Sequence, residues 1–227
     1  MRSASWNVLV LMIFITLGCR RTLPLPTYES GASLFPVDSG LSWTYLVRET
    51  LYTTTGPVPR SYYLRLRIDS AMRDAYGRPS RYVVWDTAPF TDSTRWGFFR
   101  VGLIYRDDQQ AELWENNTRL LMLRFPLSPY LQWNRYEYTN LPREICRYAH
   151  LDTAWRVLDK SYPHSVWVVR RADTTALLER AYFYEAYQRG TGLIHVYERY
   201  DKFDLDNNGS LVRNTDSYYR ELLLLHR

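Results

Sequence analysis

Between residues 62 and 69 the chain reads Tyr-Tyr-Leu-Arg-Leu-Arg-Ile-Asp, so that Tyr62, Leu64, Leu66 and Ile68 alternate with Tyr63, Arg65, Arg67 and Asp69. Only an extended strand converts a period of two into one apolar face and one wetted face. Composition extends that reading to the rest of the chain. Twenty Tyr and eight Trp bring the aromatic share to 16%, and these residue types pack well on pleated surfaces. Further strands are predicted at 42–50, 81–86, 96–105, 110–114, 119–125, 155–158, 165–170, 180–188, 193–203 and 217–225. Turn signals separate them: Tyr76-Gly77-Arg78-Pro79, Glu115-Asn116-Asn117-Thr118, Arg171-Ala172-Asp173-Thr174, Arg189-Gly190-Thr191-Gly192 and Asp206-Asn207-Asn208-Gly209. Residues 175–187 carry the Ala, Leu and Glu of a helix, but Tyr182-Phe183-Tyr184 and the glycine-rich stop favour a strand. The expected fold is all-β, an antiparallel meander forming a barrel-like or half-barrel sheet with few helices, closed enough to leave few exposed edges.

The N-terminus carries a different pattern. Met1-Arg2 precedes an apolar run from Asn7 to Gly18, then Cys19 and two arginines. Its apolar core is about half the roughly 20 residues that a helix needs to span a bilayer, and it fits the h-region of a signal peptide. In lipoprotein precursors a small residue before the cysteine admits the signal peptidase, and the cysteine becomes the acylated first residue. Thr16-Leu17-Gly18-Cys19 resembles that lipobox, with Thr16 and Leu17 where Leu and then Ala or Ser are usual. Several acyl chains, palmitate among them, hold a protein to a membrane far more firmly than one. The expected division is a lipoprotein signal peptide over 1–18, a flexible Pro- and Gly-containing tether over 19–33, and a single β-rich domain over 34–227. Arg20 stands where lipoproteins retained at the inner membrane usually have Asp, and no acidic run of the kind that accompanies surface export follows. The expected address is therefore the outer membrane, lipid-anchored and facing the periplasm.

The formal charge of +5 comes from basic residues scattered among acidic ones, a pattern that speaks against nucleic acid as a partner. With Cys19 acylated, Cys146 has no partner for a disulfide, although export leads to an oxidising compartment. As a nucleophile it would need a nearby histidine. His150 lies four residues on in an extended segment, about 13 Å along a strand, too far for a thiolate–imidazole pair. A buried free cysteine is the better reading.

Other candidate chemistry is thin. Asp204-Leu205-Asp206-Asn207-Asn208-Gly209 fits the first half of a calcium loop, with Asp204, Asp206 and Asn208 as ligands. The twelfth position, normally a bidentate Glu, is Thr215, so a polar hairpin turn competes with the metal reading. His150, His164, His195 and His226 show no paired metal spacing, and His195 reads as a half-exposed packing residue in a strand. Asp107, Asp108, Glu112 and Glu115 could suggest paired carboxylates, but a turn and a hairpin are ordinary places for solvated acids. No phosphate loop, nucleophile elbow or dinucleotide fingerprint occurs. No cofactor and no enzymatic activity are expected.

The order of landmarks resembles a family of Bacteroidota-type lipoproteins. The stretch from Leu34 to Tyr45, Leu-Phe-Pro-Val-Asp-Ser-Gly-Leu-Ser-Trp-Thr-Tyr, is similar to their PLxxGxxWxY opening. Phe125-Pro126 to Trp133-Asn134 is similar to an FPxxxGxxWN element, with Tyr130 where glycine is usual, and Gly190-Thr191-Gly192-Leu193 to a late GxGL element. That resemblance implies an envelope compartment and a β-rich fold, and no site. Both late glycines suit a tight turn with positive φ. Two function classes follow. One is a non-catalytic binding or assembly module with a protein or glycan partner. The other is a carrier of lipid or small amphiphiles, which would need a contiguous apolar cavity of several hundred Å³ on the scale of small-molecule sites.

Overall fold

The computed structural model describes residues 30–226; Cys19, the signal segment and most of the expected tether lie outside the described residues. Among the described residues the chain is all-β, with one short 3-10 turn, Ala32–Leu34. The strands are β1 Ser42–Thr53, β2 Gly56–Arg73, β3 Pro79–Pro89, β4 Gly97–Arg106, β5 Gln110–Glu115, β6 Thr118–Arg124, β7 Gln132–Asn134, β8 Ile145–Val157, β9 Lys160–Asp173, β10 Glu179–Gln188, β11 Gly192–Leu205, β12 Leu211–Arg213 and β13 Tyr218–His226. Residues 179–188 are strand, as their aromatic run suggested. Two short strands, β7 and β12, carry too few residues to show a period in sequence.

All pairings are antiparallel, in the order β6-β5-β4-β3-β2-β1-β13-β11-β10-β9-β8-β7, with β12 added to β11. Two meanders are thus zipped together by β1 and β13, and the sheet curls into a nearly closed barrel. The remaining seam lies between β6 and β7, which are consecutive in sequence. It is bridged rather than laddered: Leu121 N–H donates to the Arg135 carbonyl at 2.8 Å, and the Trp133 indole N–H donates to the Leu121 carbonyl at 3.0 Å. Tyr148 adds a hydroxyl bond to the Arg124 carbonyl at 2.6 Å. The segment joining the two strands contains Pro126 and Pro129, which cannot donate to a ladder.

The period of two in β2 sets its faces. Leu64 and Ile68 are buried, with Tyr62 and Leu66 packed against the same cluster. The opposite face is less wet than expected, because Arg65 and Arg67 both bond Asp86 Oδ2 on the neighbouring strand, at 3.0 Å. Bulges or register shifts interrupt seven of the main-sheet pairings, including β2–β3, β3–β4 and β9–β10. Such extra residues bend a strand and increase its twist, which lets long strands coil round one core.

That core is continuous with the N-terminal entry. Leu34 has no exposed surface, and Arg106 Nη1 donates to the carbonyls of Ala32 and Phe35, each at 3.0 Å. The packed body therefore includes Gly31, Ala32 and Ser33 as well as Leu34. Gly31 has φ 77°, and a Cβ there would stand 2.7 Å from the Leu127 side chain. The late glycine turn serves the same docking. Gly190 and Gly192 have φ 68° and 94°, Gly190 N–H donates to the Ser33 carbonyl at 2.8 Å, and Trp43 Nε1 donates to the Thr191 carbonyl at 2.5 Å.

Candidate functional site

The register places a charged row across the inner face of the sheet. Arg60 lies opposite Glu49, Glu49 opposite Arg220, and Arg220 opposite Glu198. Residues directly opposite in antiparallel strands project to the same side, and Tyr62, two residues from Arg60, belongs to the core-facing set of β2. The inner face is thus apolar at one end and ionic at the other.

At its deepest point the ionic end is a closed network. Arg170 donates from Nε to Glu144 at 2.8 Å, and from Nη1 to Glu198 at 2.5 Å and Glu185 at 3.3 Å. Arg135 sits 3.0 Å from the same Glu185, whose other oxygen accepts the Tyr187 hydroxyl at 2.6 Å. Burial opposes the charge on Arg170, but Glu185, Glu198 and Glu144 override it and hold its pKa well above the ordinary value. Burial likewise opposes the Glu185 carboxylate, and Arg135 and Arg170 keep its pKa low. Every ion in this network has an opposite charge in contact, which is the condition under which buried charges persist.

Nearer solvent, a cleft of about 600 Å³ is lined by Glu49, Arg60, Tyr62, Thr87, Arg100 and Arg220, with Pro89 and Phe99 on its apolar side. Arg100 contacts Glu115 at 3.0 Å. The Nε atoms of both Arg100 and Arg220 are buried without a hydrogen-bond partner. Burial depresses the Arg100 pKa, Glu115 opposes that shift, and the positive charge of Arg220 adds to it.

The apolar end holds a half-open pocket of about 80 Å³, bounded by Trp43, Tyr45, Ile68, Val83, Ile104 and Met122 among others. Tyr45 anchors one wall through a hydroxyl bond to the Leu193 carbonyl at 2.9 Å. This space admits a few atoms and falls far short of the several hundred Å³ set out for a carrier.

The residues singled out from sequence take structural positions. Asp206 Oδ1 accepts the backbone N–H groups of Asn208 and Ser210, each at 2.8 Å. Asp204 accepts the Asn214 side-chain amide at 2.5 Å. The 204–209 segment is the β11–β12 hairpin turn, with Gly209 at φ 76°. Asp107 Oδ1 accepts from the backbone of Gln109 and Gln110 at 2.8 Å. Glu112 is not a solvated acid: it has no exposed surface and is enclosed by Arg78, Arg119, Gln110 and Trp114. Pairings 34 and 7 residues apart leave no local sequence signal.

Cys146 is free and buried, and burial pushes its thiol up to about 12. His150 instead packs edge-on against Trp167, ring centroids 5.3 Å apart. His195 is 5% exposed, which corrects its reading as half-exposed. Its Nδ1 accepts the Trp155 indole N–H at 3.1 Å and its Nε2 lies 2.9 Å from Glu221 Oε1. With Nδ1 occupied by a donor, the ring carries its proton on Nε2 and has no free lone pair for base chemistry. Beside it Trp167, Tyr184 and Tyr197 stack face to face, with interplanar angles of 5° and 7°. Their ring faces are spent on one another, so this row presents edges rather than the flat platform that a sugar ring needs.

The sequence matches no known family profile and no curated protein. Among solved structures the chain is similar to a candidate lipoprotein from Parabacteroides distasonis, with 10% identity, 84% of this chain and 96% of that chain covered, and a TM-score of 0.41. It is also similar to a candidate exported protein with a YmcC-like fold from Bacteroides fragilis, with 9% identity, 84% and 96% coverage, and a TM-score of 0.38.

Proposed function

We propose that the chain is a lipoprotein of the bacterial envelope, anchored through acylated Cys19 and acting as a non-catalytic binding or assembly module. The carrying observation is the small apolar pocket that the described residues leave on the inner face. That pocket holds about 80 Å³, smaller than the roughly 150 Å³ engineered cavity that takes up a single benzene. An acyl chain needs several times more. The ionic row Arg60, Glu49, Arg220, Glu198 at the other end of the inner face adds a desolvation cost to any apolar ligand entering there. Both features weigh against the carrier alternative.

Enzymatic work also finds little support. The buried acids Glu112 and Glu185 are neutralised by paired arginines, and the Cys146 thiol is held protonated. Binding has better footing. Tyr82, Phe98 and Val101 are 39%, 70% and 49% exposed and lie on one outer face of β3 and β4 by register. This apolar strip suits a protein partner. Nucleic acid is not proposed as a partner, and the membrane is engaged through the lipid on Cys19, at the outer membrane and facing the periplasm.

Native mass spectrometry of the gently purified protein tests the module against the carrier: a co-purifying free lipid of fixed mass would overturn the module. Replacing Cys19 with Ala tests the anchor, and a variant that still partitions with membranes would overturn it. Protease treatment of intact cells tests orientation, since shaving of the protein would place it on the surface.

A further inference from the structure

We propose that the cleft formed by Arg60, Arg100 and Arg220 on the inner face is a binding site for a phosphate-type oxyanion, free in solution or carried as the phosphate of a lipid headgroup. The site adjoins the closed Arg135–Arg170 network at Glu198, which lies opposite Arg220 and is held by Arg170, and it does not rest on the anchoring role of Cys19.

The first support is charge accounting within the cleft. Three arginines face one lining carboxylate, Glu49. Register puts Glu49 between Arg60 and Arg220, yet among the described residues no ion pair joins it to either. The other carboxylate opposite Arg220 is Glu198, already held by Arg170 at 2.5 Å. Glu115 neutralises only one edge of Arg100. A positive surplus therefore remains in a partly enclosed space, where charge interactions are stronger than in bulk water.

The second support is unmet hydrogen bonding. The Nε atoms of Arg100 and Arg220 are both shielded from solvent and both lack an acceptor. A buried donor without a partner is a cost that folds normally avoid. Here two such donors flank the same cleft, and the charge of Arg220 disfavours that of Arg100. Like charges brought together with only part of their charge countered are a pattern of ligand sites rather than of stable cores.

Geometry selects the oxyanion. Guanidinium groups approach the cleft from β2, β4 and β13, and Tyr62 in the same lining adds a hydroxyl. A planar carboxylate offers two oxygens in one plane, whereas a tetrahedral phosphate offers oxygens in several directions to forked donors. Thr87 and the apolar Pro89 and Phe99 on the opposite side leave room for whatever the phosphate is attached to.

The test uses the full chain in detergent, titrated calorimetrically with inorganic phosphate, and in parallel with dihexanoyl phosphatidic acid against dihexanoyl phosphatidylcholine. Saturable binding of phosphate and of the phosphatidic acid, with none of the phosphatidylcholine, supports the proposal. Binding of the phosphatidic acid alone assigns the site to a lipid headgroup. Arg220→Gln is expected to weaken binding at least tenfold. Its melting temperature without ligand should stay the same or rise, because Arg100 loses a like-charged neighbour. Arg60→Gln, at an exposed position with no ion pair among the described residues, should weaken binding about threefold without affecting the fold, which guards against a misfolded Arg220 variant. Arg156→Gln, at the β8–β9 hairpin, removes the same charge elsewhere and should change nothing. Absence of saturable binding by both phosphate and the phosphatidic acid, or equal binding by the wild type and the Arg60 and Arg220 variants, would overturn it.

Discussion

Arg119 grips Glu112 through two parallel bonds, Nε to Oε2 and Nη2 to Oε1, both 2.7 Å long. Arg78 repeats the grip from the other side at 2.8 and 2.9 Å. Each arginine also lies over a tyrosine ring, Arg78 over Tyr105 at 3.9 Å and Arg119 over Tyr138 at 3.5 Å. One carboxylate thus ties the β2–β3 turn to β5 and β6.

Burial alone would raise the Glu112 pKa, but the hydrogen bonds from Arg78, Arg119 and Trp114 bring it from 4.5 down to about 2. A carboxylate whose folded pKa is depressed contributes stability above its unfolded value and loses it as the pH falls. The difference corresponds to about 3 kcal/mol, released between about pH 4.5 and 2. Glu112→Gln should remove that pH dependence and lower stability at neutral pH by roughly 3–5 kcal/mol, since it leaves two part-buried arginines unpaired. Urea denaturation at a series of pH values measures both. An unchanged midpoint at pH 7 would contradict the assignment.

Cys146 should be inert while the protein is folded. With its thiol pushed up to about 12 and no exposed surface, alkylation by iodoacetamide at pH 8 is expected only through unfolding. Its rate should follow the unfolding rate across a urea series, and rapid labelling without denaturant would show a more open core.

Trp133→Phe keeps the ring in the core and deletes the indole bond to the Leu121 carbonyl. The expected loss is about 1–2 kcal/mol, the cost of leaving a buried acceptor unsatisfied. Because that bond bridges the seam, amide hydrogen exchange should quicken at Leu121 before it does in β1 or β13. Uniform acceleration across all strands would mean that the seam does not open by itself.

Leu158 occupies the two-residue loop between β8 and β9 with φ 55°, although Val157 pairs with Lys160 on either side of it. Glycine is the ordinary first residue of such a loop, and a left-handed leucine costs about 1–2 kcal/mol. Leu158→Gly should raise stability by about 0.5–1 kcal/mol once the greater freedom of glycine in the unfolded chain is deducted. Thermal unfolding reads this as a shift of a few degrees upward.

How much of this was legible from sequence follows from the range of each interaction. The faces of β2 follow from its own eight residues, and the Asn116-Asn117 turn declares its two positive φ values, 48° and 57°, by residue type alone. The cleft was illegible for the opposite reason. Arg60, Arg100 and Arg220 are far apart in a chain whose basic residues look evenly scattered, and only the successive registers of β13, β1, β2, β3 and β4 gather them. Glu112 looked like one of several hairpin acids for the same reason, its arginines being supplied by a distant turn and the next strand. His195 could not be told from an exposed strand histidine until Trp155 and Glu221 were placed at its two nitrogens.

The zipped pair β1–β13 has a mechanical meaning. β1 is hydrogen-bonded along both edges, to β2 on one side and β13 on the other. A pull on the N-terminal end is met first by Arg106 and Gly190, which grip the backbone around Ala32–Leu34. Beyond them the load runs along β1 parallel to its axis, so the bonds of two ladders share it in shear instead of breaking one at a time. Had the seam fallen beside β1, the same force would have peeled an edge strand; its position between β6 and β7 leaves β1 laddered along both edges.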